Sequence, residues 1–405
     1  MGIKGLNPFL KKICPDVFKS VPIREFRGRK VAFDAYHFMF KVINVANSRI
    51  VRRGNGSSEP DRTEVLNDWI QISLELIYNW INNGVNLIFV FDGDHPKEKS
   101  ETQKERILKR QEMREKYEKL RAEIEENPLL ATPEQLKQLK TYLSQTGPNG
   151  NEKDYFKSII ESFGIPTLRA NGEGEKLCAQ LARDGIVEAV FTSDTDTLAF
   201  GAPLLINDTL GWKDYEGERV FCVQTVKLEE ICNELELEFS QFVDLCIMAG
   251  CDYNDNIPRI AIGKSYKLLK QYEKIEDIPD SVGDKTVLKY EVCRNLFTSD
   301  EQIIENIETE YHPPDSMDED SIDIDPGLKV KLLKALKMAS TSLPRLKVKI
   351  EVDDGSENDE GGAAGNDEGS GDEINEDRGE AGGDGVADDR GGDEVDADGG
   401  READI

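Results

Sequence analysis

Leu87-Ile88-Phe89-Val90-Phe91-Asp92 is an apolar run of strand length that ends on an acid, and this pattern decides the fold. Two other runs end in the same way: Val31-Ala32-Phe33 precedes Asp34, and residues 189–193 precede Asp194. Short, continuous apolar runs are typical of strands that are buried on both faces of a parallel sheet. We therefore expect these three segments to be strands of a mostly parallel sheet.

Segments with helical periodicity alternate with these strands. Residues 64–82 carry apolar side chains every three or four positions, and a long charged helix is expected from Pro96 to about Glu126. This alternation predicts an α/β fold with a mostly parallel central sheet flanked by helices. Further strands are expected at 166–170, 204–207 and 218–223, with turns marked by Gly211 and Gly217, and helices should dominate from 226 to about 337.

Charge is unevenly distributed along the chain. The formal net charge is −29, and residues 351–405 alone hold 22 acidic residues against three arginines. That segment has almost no large apolar side chains and cannot offset its chain entropy by burial, so we expect a disordered acidic tail. Residues 127–152, interrupted by three prolines and two glycines, are expected to be a mobile insertion. Any contact with nucleic acid must come from local basic clusters.

Composition disfavours several other classes of protein. Seven cysteines without a CxxC pair indicate buried, reduced thiols in an intracellular compartment. Three scattered histidines are too few for a histidine-based zinc site. No apolar run approaches the ~20 residues of a membrane span, and residues 1–6 lack the apolar core of a secretory signal. We therefore expect no membrane partner.

The acids at the ends of the strands are the candidate functional residues. Parallel strands end at one edge of the sheet, where open α/β sheets bind ligands. Carboxylates gathered there raise one another's pKa and need a cation, and all-oxygen sites suit Mg²⁺ or Mn²⁺. Each acid alone is equally well explained as a turn former or helix cap, but six follow predicted strands and four form two i,i+2 pairs. The seven candidate ligands are Asp34, Asp92, Glu173, Glu175, Asp194, Asp196 and Asp252.

Six short motifs contain or accompany these acids. In chain order they are Met1-Gly2-Ile3-Lys4-Gly5-Leu6, Gly28-Arg29-Lys30-Val31-Ala32-Phe33-Asp34-Ala35, Phe89-Val90-Phe91-Asp92-Gly93, Glu173-Gly174-Glu175-Lys176-Leu177-Cys178-Ala179, Thr192-Ser193-Asp194-Thr195-Asp196-Thr197-Leu198-Ala199-Phe200-Gly201 and Gly250-Cys251-Asp252-Tyr253. Their order and spacing resemble the flap endonuclease/XPG family of structure-specific 5′ nucleases over almost all of residues 1–310. All seven acids match the metal-site acids of that family.

The resemblance implies a two-metal-ion phosphodiesterase with a PIN-like fold. It implies two Mg²⁺ ions, for which Mn²⁺ can substitute, and branched or nicked DNA as the partner. The divisions expected from it are an N-terminal nuclease region at 1–106, a helical arch insertion at 107–152, an internal nuclease region at 153–255, a helix-two-turn-helix and C-terminal helical DNA-binding subdomain at 256–350, and the acidic tail at 351–405.

Further contacts with DNA are implied where positions match the family. Lys99 and Arg106 lie seven and fourteen residues after Asp92, on one face of the predicted helix, and would hold the scissile phosphate as the catalytic cations. Phe40 would stack on a nucleobase, although a core contact explains it equally well. Gly2 would lie at the branch of the substrate if the initiator methionine is removed.

Residues 256–272 resemble the family's helix-two-turn-helix, which grips duplex phosphates with a bound monovalent cation. The usual Gly-Ile-Gly hairpin here reads Arg259-Ile260-Ala261, and close approach of backbone amides to phosphate favours glycine. A different geometry or strength of grip is therefore expected. Lys264 and Lys267 are the candidate phosphate contacts; a solvent-facing role on an amphipathic helix is the simpler interpretation.

Other interpretations stay open at this point. A non-catalytic DNA-junction binding or scaffold protein would tolerate alanine at the paired acids, and a PIN-like RNA nuclease would share the acidic edge of the sheet. No sliding-clamp motif is recognisable, and the acidic tail is either an inert spacer or a contact for basic proteins. The resemblance implies replication or repair in the nucleus, with a cytoplasmic replication site as the alternative if the chain is encoded by a virus.

Overall fold

Seven strands form one mixed sheet with helices on both faces. The computed structural model describes residues 2–53, 62–93, 100–126, 131–144, 147–300, 310–314 and 324–342, and the statements below concern these residues; the acidic tail lies outside them. The strands are β1 (Lys19–Pro22), β2 (Lys30–Asp34), β3 (Asn86–Phe91), β4 (Thr167–Arg169), β5 (Ala189–Phe191), β6 (Leu204–Tyr215) and β7 (Glu218–Lys227).

The helices fill the connections between these strands. They are α1 (Leu6–Ile13), α2 (Ala35–Arg53), α3 (Arg62–Asn82), α4 (Ser100–Glu126), α5 (Pro133–Ser144), α6 (Gly150–Ser162), α7 (Gly174–Arg183), α8 (Asp196–Ala199), α9 (Leu228–Leu235), α10 (Phe239–Ala249), α11 (Ile262–Tyr272), α12 (Tyr290–Thr298) and α13 (Pro326–Ser342). None of the described helices is long and apolar enough to cross a bilayer.

The sheet has the order β1-β7-β6-β5-β2-β3-β4. Strands β2 to β6 pair in parallel, and β7 pairs antiparallel with both β6 and β1, so the predicted mostly parallel sheet flanked by helices is confirmed. Strand β2 is the central one of the five parallel strands, and its Phe33 is opposite Phe89 on one side and Phe191 on the other. Because these strands are parallel, their carboxyl ends lie together.

Alternate residues of the central strands contribute to two separate cores. Ala32 and Val190 face the core formed with α1, α7, α10 and α11. Phe33 and Phe191 face the opposite core with α2, α3, α6 and α13, and their rings stack with centroids 4.6 Å apart. This alternation follows from the two-residue period of a strand, and burial on both faces explains why the strands are apolar throughout.

The expectation of an irregular segment at 127–152 is wrong over much of its length. Pro133–Ser144 is a helix, because proline is tolerated at the first helical position. Thr132 accepts from the Gln135 N–H and the Gln135 side chain accepts from the Thr132 N–H, which is a capping box. Helix α5 packs on α4 through a small buried cluster of Tyr117, Ile124, Leu139 and Leu143. Residues 127–130 and 145–146 lie outside the described part.

The last two strands are longer than predicted. Strand β6 continues past the expected end at 207 to Tyr215, and Gly211 is part of an irregular register rather than a turn. The chain reverses at Glu216 and Gly217, both with positive φ, so that β6 and β7 form one long hairpin. A glycine within a strand is as compatible with a bulge as with a turn, and the sequence pattern does not distinguish them.

Candidate metal centre

Three adjacent parallel strands each deliver an acid to the same edge of the sheet. Asp34 is the last residue of the central strand β2, Asp92 follows β3 directly, and Asp194 lies three residues after β5. Asp34 is 7% exposed and accepts hydrogen bonds from the His37 backbone N–H (3.0 Å) and the Thr192 hydroxyl (3.1 Å). These two donors hold its carboxyl group at the sheet edge.

The pKa of Asp34 is affected by its burial and by the neighbouring acids. Burial, followed by the negative charge of Asp92, raises the pKa of Asp34 to about 7, and Asp194 adds to the shift. The two hydrogen bonds to its carboxylate act in the opposite direction. Since desolvation and like charges dominate, ionised Asp34 is stabilised by any cation that enters this edge.

Helix α7 brings one i,i+2 pair of acids, Glu173 and Glu175, beside Asp92. The Gly174 N–H donates to Asp92 Oδ1 at 2.8 Å, and a Cβ at position 174 would lie only 2.8 Å from the same oxygen. Glycine therefore allows the start of α7 to approach Asp92. Glu173 is the N-cap residue of this helix and Glu175 is in its first turn, and both are buried.

Tyr253 connects this pair to the remaining acids. Its hydroxyl donates to Glu173 Oε2. Burial, followed by the charges of Glu173, Glu175 and Asp196, raises the pKa of Tyr253 well above its usual value. Asp252, the preceding residue, is also buried and follows the end of α10.

The other i,i+2 pair, Asp194 and Asp196, lies beside the N-terminal segment. The Asp196 N–H donates to Asp194 Oδ1 (3.3 Å), and the Asp194 N–H donates to the Thr192 hydroxyl (3.1 Å). Gly2 has φ of +90°, and a Cβ there would overlap Asp194 Oδ1. The structure thus places Gly2 against the acids, and its contact with DNA stays a prediction.

The donor chemistry fits the divalent ions expected from the sequence. The contacts and charges described above link six of the acids at this edge, and Asp252 precedes Tyr253 in the chain. All seven offer carboxylate oxygens, which suit Mg²⁺ or Mn²⁺. Within the described ranges, however, no three acid, cysteine or histidine side chains are close enough to enclose an ion. The role of the seven acids as ligands stays a prediction.

Two of the predicted cations cannot be placed at the centre. Lys99 lies outside the described residues. The backbone of Arg106 is in α4, but its side chain is not described. Phe40 is half-buried, with the Arg110 guanidinium carbon 4.6 Å from its ring centroid and Gly147 against the ring edge. Stacking of a nucleobase on Phe40 would have to displace or share this arginine.

The hairpin before α11 keeps a left-handed residue without glycine. Arg259 has φ of +65°, and the exposed Lys264 Nζ donates to its carbonyl oxygen at 3.1 Å. The Asn256 amide nitrogen donates to the carbonyl oxygens of Ile257 and Ile260, at 3.1 Å each. Each of these carbonyl oxygens accepts one hydrogen bond and keeps a second lone pair, so a monovalent cation at this hairpin stays a prediction. Lys267 is exposed, and its phosphate contact stays a prediction.

Sequence reasoning did not identify several residues that organise the centre. Thr192 and Tyr253 lie inside the quoted motifs, so their positions beside acids were a usable signal. His37 contributes a backbone N–H, which any residue at the first turn of α2 would supply. No sequence pattern predicts a functional position for Lys153, because only the packing of α6 brings it to the sheet edge.

Fold and centre together define a class: α/β proteins with the XPG-type nuclease fold and an acidic carboxyl edge. Residues 1–113 match the XPG N-terminal domain, and residues 164–252 match the XPG I-region. The chain belongs to the flap endonuclease/XPG family.

This chain is similar in sequence or in fold to several named nucleases. The chain is 33% identical over 310 residues to "Flap endonuclease 1" of Cryptosporidium muris. The aligned region covers 74% of this chain and 62% of that relative. It is 27% identical to a "Probable RAD2-like endonuclease 369L" of Invertebrate iridescent virus 6, covering 69% of this chain and 73% of that one. The solved flap endonuclease-1 of Methanococcus jannaschii shares the fold at 20% identity, with a TM-score of 0.53 over 80% of this chain and 98% of that structure.

Proposed function

We propose that this chain is a magnesium-dependent, structure-specific 5′ nuclease that hydrolyses DNA phosphodiesters at junctions of single and double strands. The observation that carries the proposal is that the three adjacent parallel strands β2, β3 and β5 bring Asp34, Asp92 and Asp194 to one edge of the sheet. There the charges of Asp92 and Asp194 add to the effect of burial in raising the pKa of Asp34. Buried carboxylates in such proximity are costly unless a cation joins them. The flap endonuclease relatives supply the reaction class.

Each residue of the centre has a distinct task in this proposal. The seven acids hold two divalent ions, which when bound activate water and neutralise charge on the phosphodiester. The Thr192 hydroxyl and the His37 N–H keep Asp34 oriented, and the Gly174 N–H does the same for Asp92. Lys99 and Arg106 would hold the scissile phosphate and stabilise charge that develops on it.

The direct test is cleavage of a labelled 5′-flap duplex in Mg²⁺. Asp194→Ala should lower the single-turnover rate by at least about 100-fold, because it removes one carboxylate of a pair that holds an ion. Asp214→Ala, on the exposed part of β6, is the matched control and should cleave at the wild-type rate. Equal cleavage rates for Asp194→Ala and the wild type would contradict this assignment. Binding of the duplex by the wild type without Mg²⁺-dependent cleavage would instead indicate a junction-binding protein.

The preferred DNA structure is part of the same proposal. Flap cutting and 5′→3′ exonuclease action are proposed first, because the curated relatives named above are described as flap endonucleases and a RAD2-like endonuclease. One assay that compares flap, nicked, blunt and four-way junction substrates at equal enzyme concentration distinguishes these activities. Preferential cleavage of the four-way junction would identify junction resolution as the main activity instead.

A role in DNA replication or repair follows from such a substrate. The nucleus is the proposed compartment, with a cytoplasmic replication site as the alternative, since the relatives include both eukaryotic and viral proteins. Localisation of the tagged full-length chain distinguishes the two.

A further inference from the structure

Two cations and two aromatic rings lie beside the acidic edge, on residues outside the proposed ligand set. Tyr36 and Phe40 are one turn apart on α2, Arg110 is on α4, and Lys153 is near the start of α6. The Lys153 Nζ lies 4.2 Å from the ring centroid of Tyr36 and 5.9 Å from that of Phe40. The Arg110 Cζ lies 4.6 Å from the Phe40 centroid. We call these four residues the cation–aromatic cluster.

The cluster adjoins the acids electrostatically. Asp92 contributes to the raised pKa of Tyr36, after burial, and its charge favours the protonated form of Lys153. Burial, followed by the positive charge of Arg110, lowers the pKa of Lys153 overall. Lys153 therefore lies within reach both of an acid of the centre and of a second cation.

The backbone of α6 holds Lys153 in this position. Asn149 and Glu152 form a capping box in which each side chain accepts from the other residue's backbone N–H, at 3.0 and 2.8 Å. Lys153 follows immediately and is half-buried against the two rings. Lys157, one turn later, differs from it: its Nζ is 3.6 Å from Glu161 and 5.7 Å from the Phe91 centroid.

We propose that Lys153, together with Arg110, binds a backbone phosphate of the DNA strand at the acidic edge and so acts as a positioning residue. Two cations that repel one another gain from an anion placed between them. The face of an aromatic ring attracts a cation without neutralising its charge, so the rings of Tyr36 and Phe40 can hold Lys153 in place while its ammonium group contacts an anion. A phosphodiester is the anion that the substrate brings to this edge. The inference rests on the nuclease function proposed above.

The test combines a variant with neutralised phosphates in the substrate. Lys153→Met keeps the aliphatic packing and removes the charge, Lys153→Arg keeps the charge, and Lys157→Met is the matched control on the same helix. Binding of a 5′-flap duplex is measured with Ca²⁺ replacing Mg²⁺, and single-turnover cleavage is measured with Mg²⁺. Each phosphate flanking the cleaved bond is replaced in turn by an uncharged methylphosphonate.

Lys153→Met should weaken binding of the unmodified substrate about tenfold, the typical effect of losing a charged hydrogen bond, while Lys153→Arg and Lys157→Met stay near wild type. At one position, the methylphosphonate should weaken binding by the wild type but have no further effect on Lys153→Met. If the methylphosphonate at every position weakens binding by the wild type and by Lys153→Met equally, Lys153 contacts no phosphate and the inference is overturned. If the wild type cleaves none of the substrates, the nuclease proposal itself fails.

Discussion

At the scale of single residues, Asp34 is the most informative position. It ends the central strand, it is buried, and its pKa is raised to about 7. A carboxyl group with a raised pKa destabilises the fold when it is ionised. That cost is absent below the unfolded pKa near 4, grows as the pH rises from about 4 to 7, and is complete above 7.

Asp34→Asn should therefore stabilise the protein in chelator at pH 8, by about 1–3 kcal/mol, because it removes a buried charge. The gain should shrink at pH 5, where the wild-type carboxyl group is largely protonated. Urea unfolding at the two pH values measures this, with Asp214→Asn as the exposed control. A gain that is the same at both pH values would show that ionisation of Asp34 is not its source.

At the scale of elements, the hairpin before α11 holds a residue with a Cβ, Arg259, in the left-handed region of backbone conformation. The family-like glycine position is Arg259, and the backbone still adopts φ of +65° there. The left-handed region destabilises the folded state by about 1–2 kcal/mol when the residue has a Cβ. Glycine avoids this strain, but it loses more backbone entropy on folding, which offsets part of the gain. Arginine at position 259 therefore adds backbone strain and a positive charge to the hairpin.

Arg259→Gly should raise the free energy of unfolding by about 0.5–1 kcal/mol relative to Arg259→Ala. Both variants remove the guanidinium, so their difference isolates the backbone strain. Thermal unfolding of the two variants in the same buffer gives this difference. Equal stability would mean that position 259 leaves the left-handed region in solution.

At the scale of the whole molecule, the acids link elements that are distant in sequence. Strands β2, β3 and β5, helix α7 and the end of α10 each contribute at least one acid to the sheet edge. A bound cation would then hold the two cores on either side of the sheet to one common edge, and this should appear as increased global stability.

Mg²⁺ at ten times its dissociation constant should stabilise the fold by about 1.4 kcal/mol, and so raise the melting temperature by a few degrees. The same titration on Asp194→Ala should give a much smaller shift, because a ligand is missing. Differential scanning calorimetry in chelator and in Mg²⁺ measures both. Equal shifts in the two proteins would place the stabilising ion elsewhere.

Much of this architecture could be predicted from the chain. The apolar runs that end at Asp34 and Asp92 identify parallel strands, because only burial on both faces favours such composition. The helix at Pro133 was missed although Thr132 and Gln135 form a legible capping box, since the surrounding prolines and glycines suggested a loop. The length of β6 was missed because Gly211 reads equally as a turn or a bulge.

The sequence alone specifies which residues carry the chemistry: seven acids at the ends of strands and helices, in a recognisable order. Local periodicity is sufficient for that, because strand ends are local features. The neighbours of each acid depend on strand order and helix packing, which are long-range. Only the tertiary structure places Gly2 against Asp194, Tyr253 against Glu173, and Lys153 on the rings beside Asp92, since residues far apart in the chain meet only when the sheet is complete.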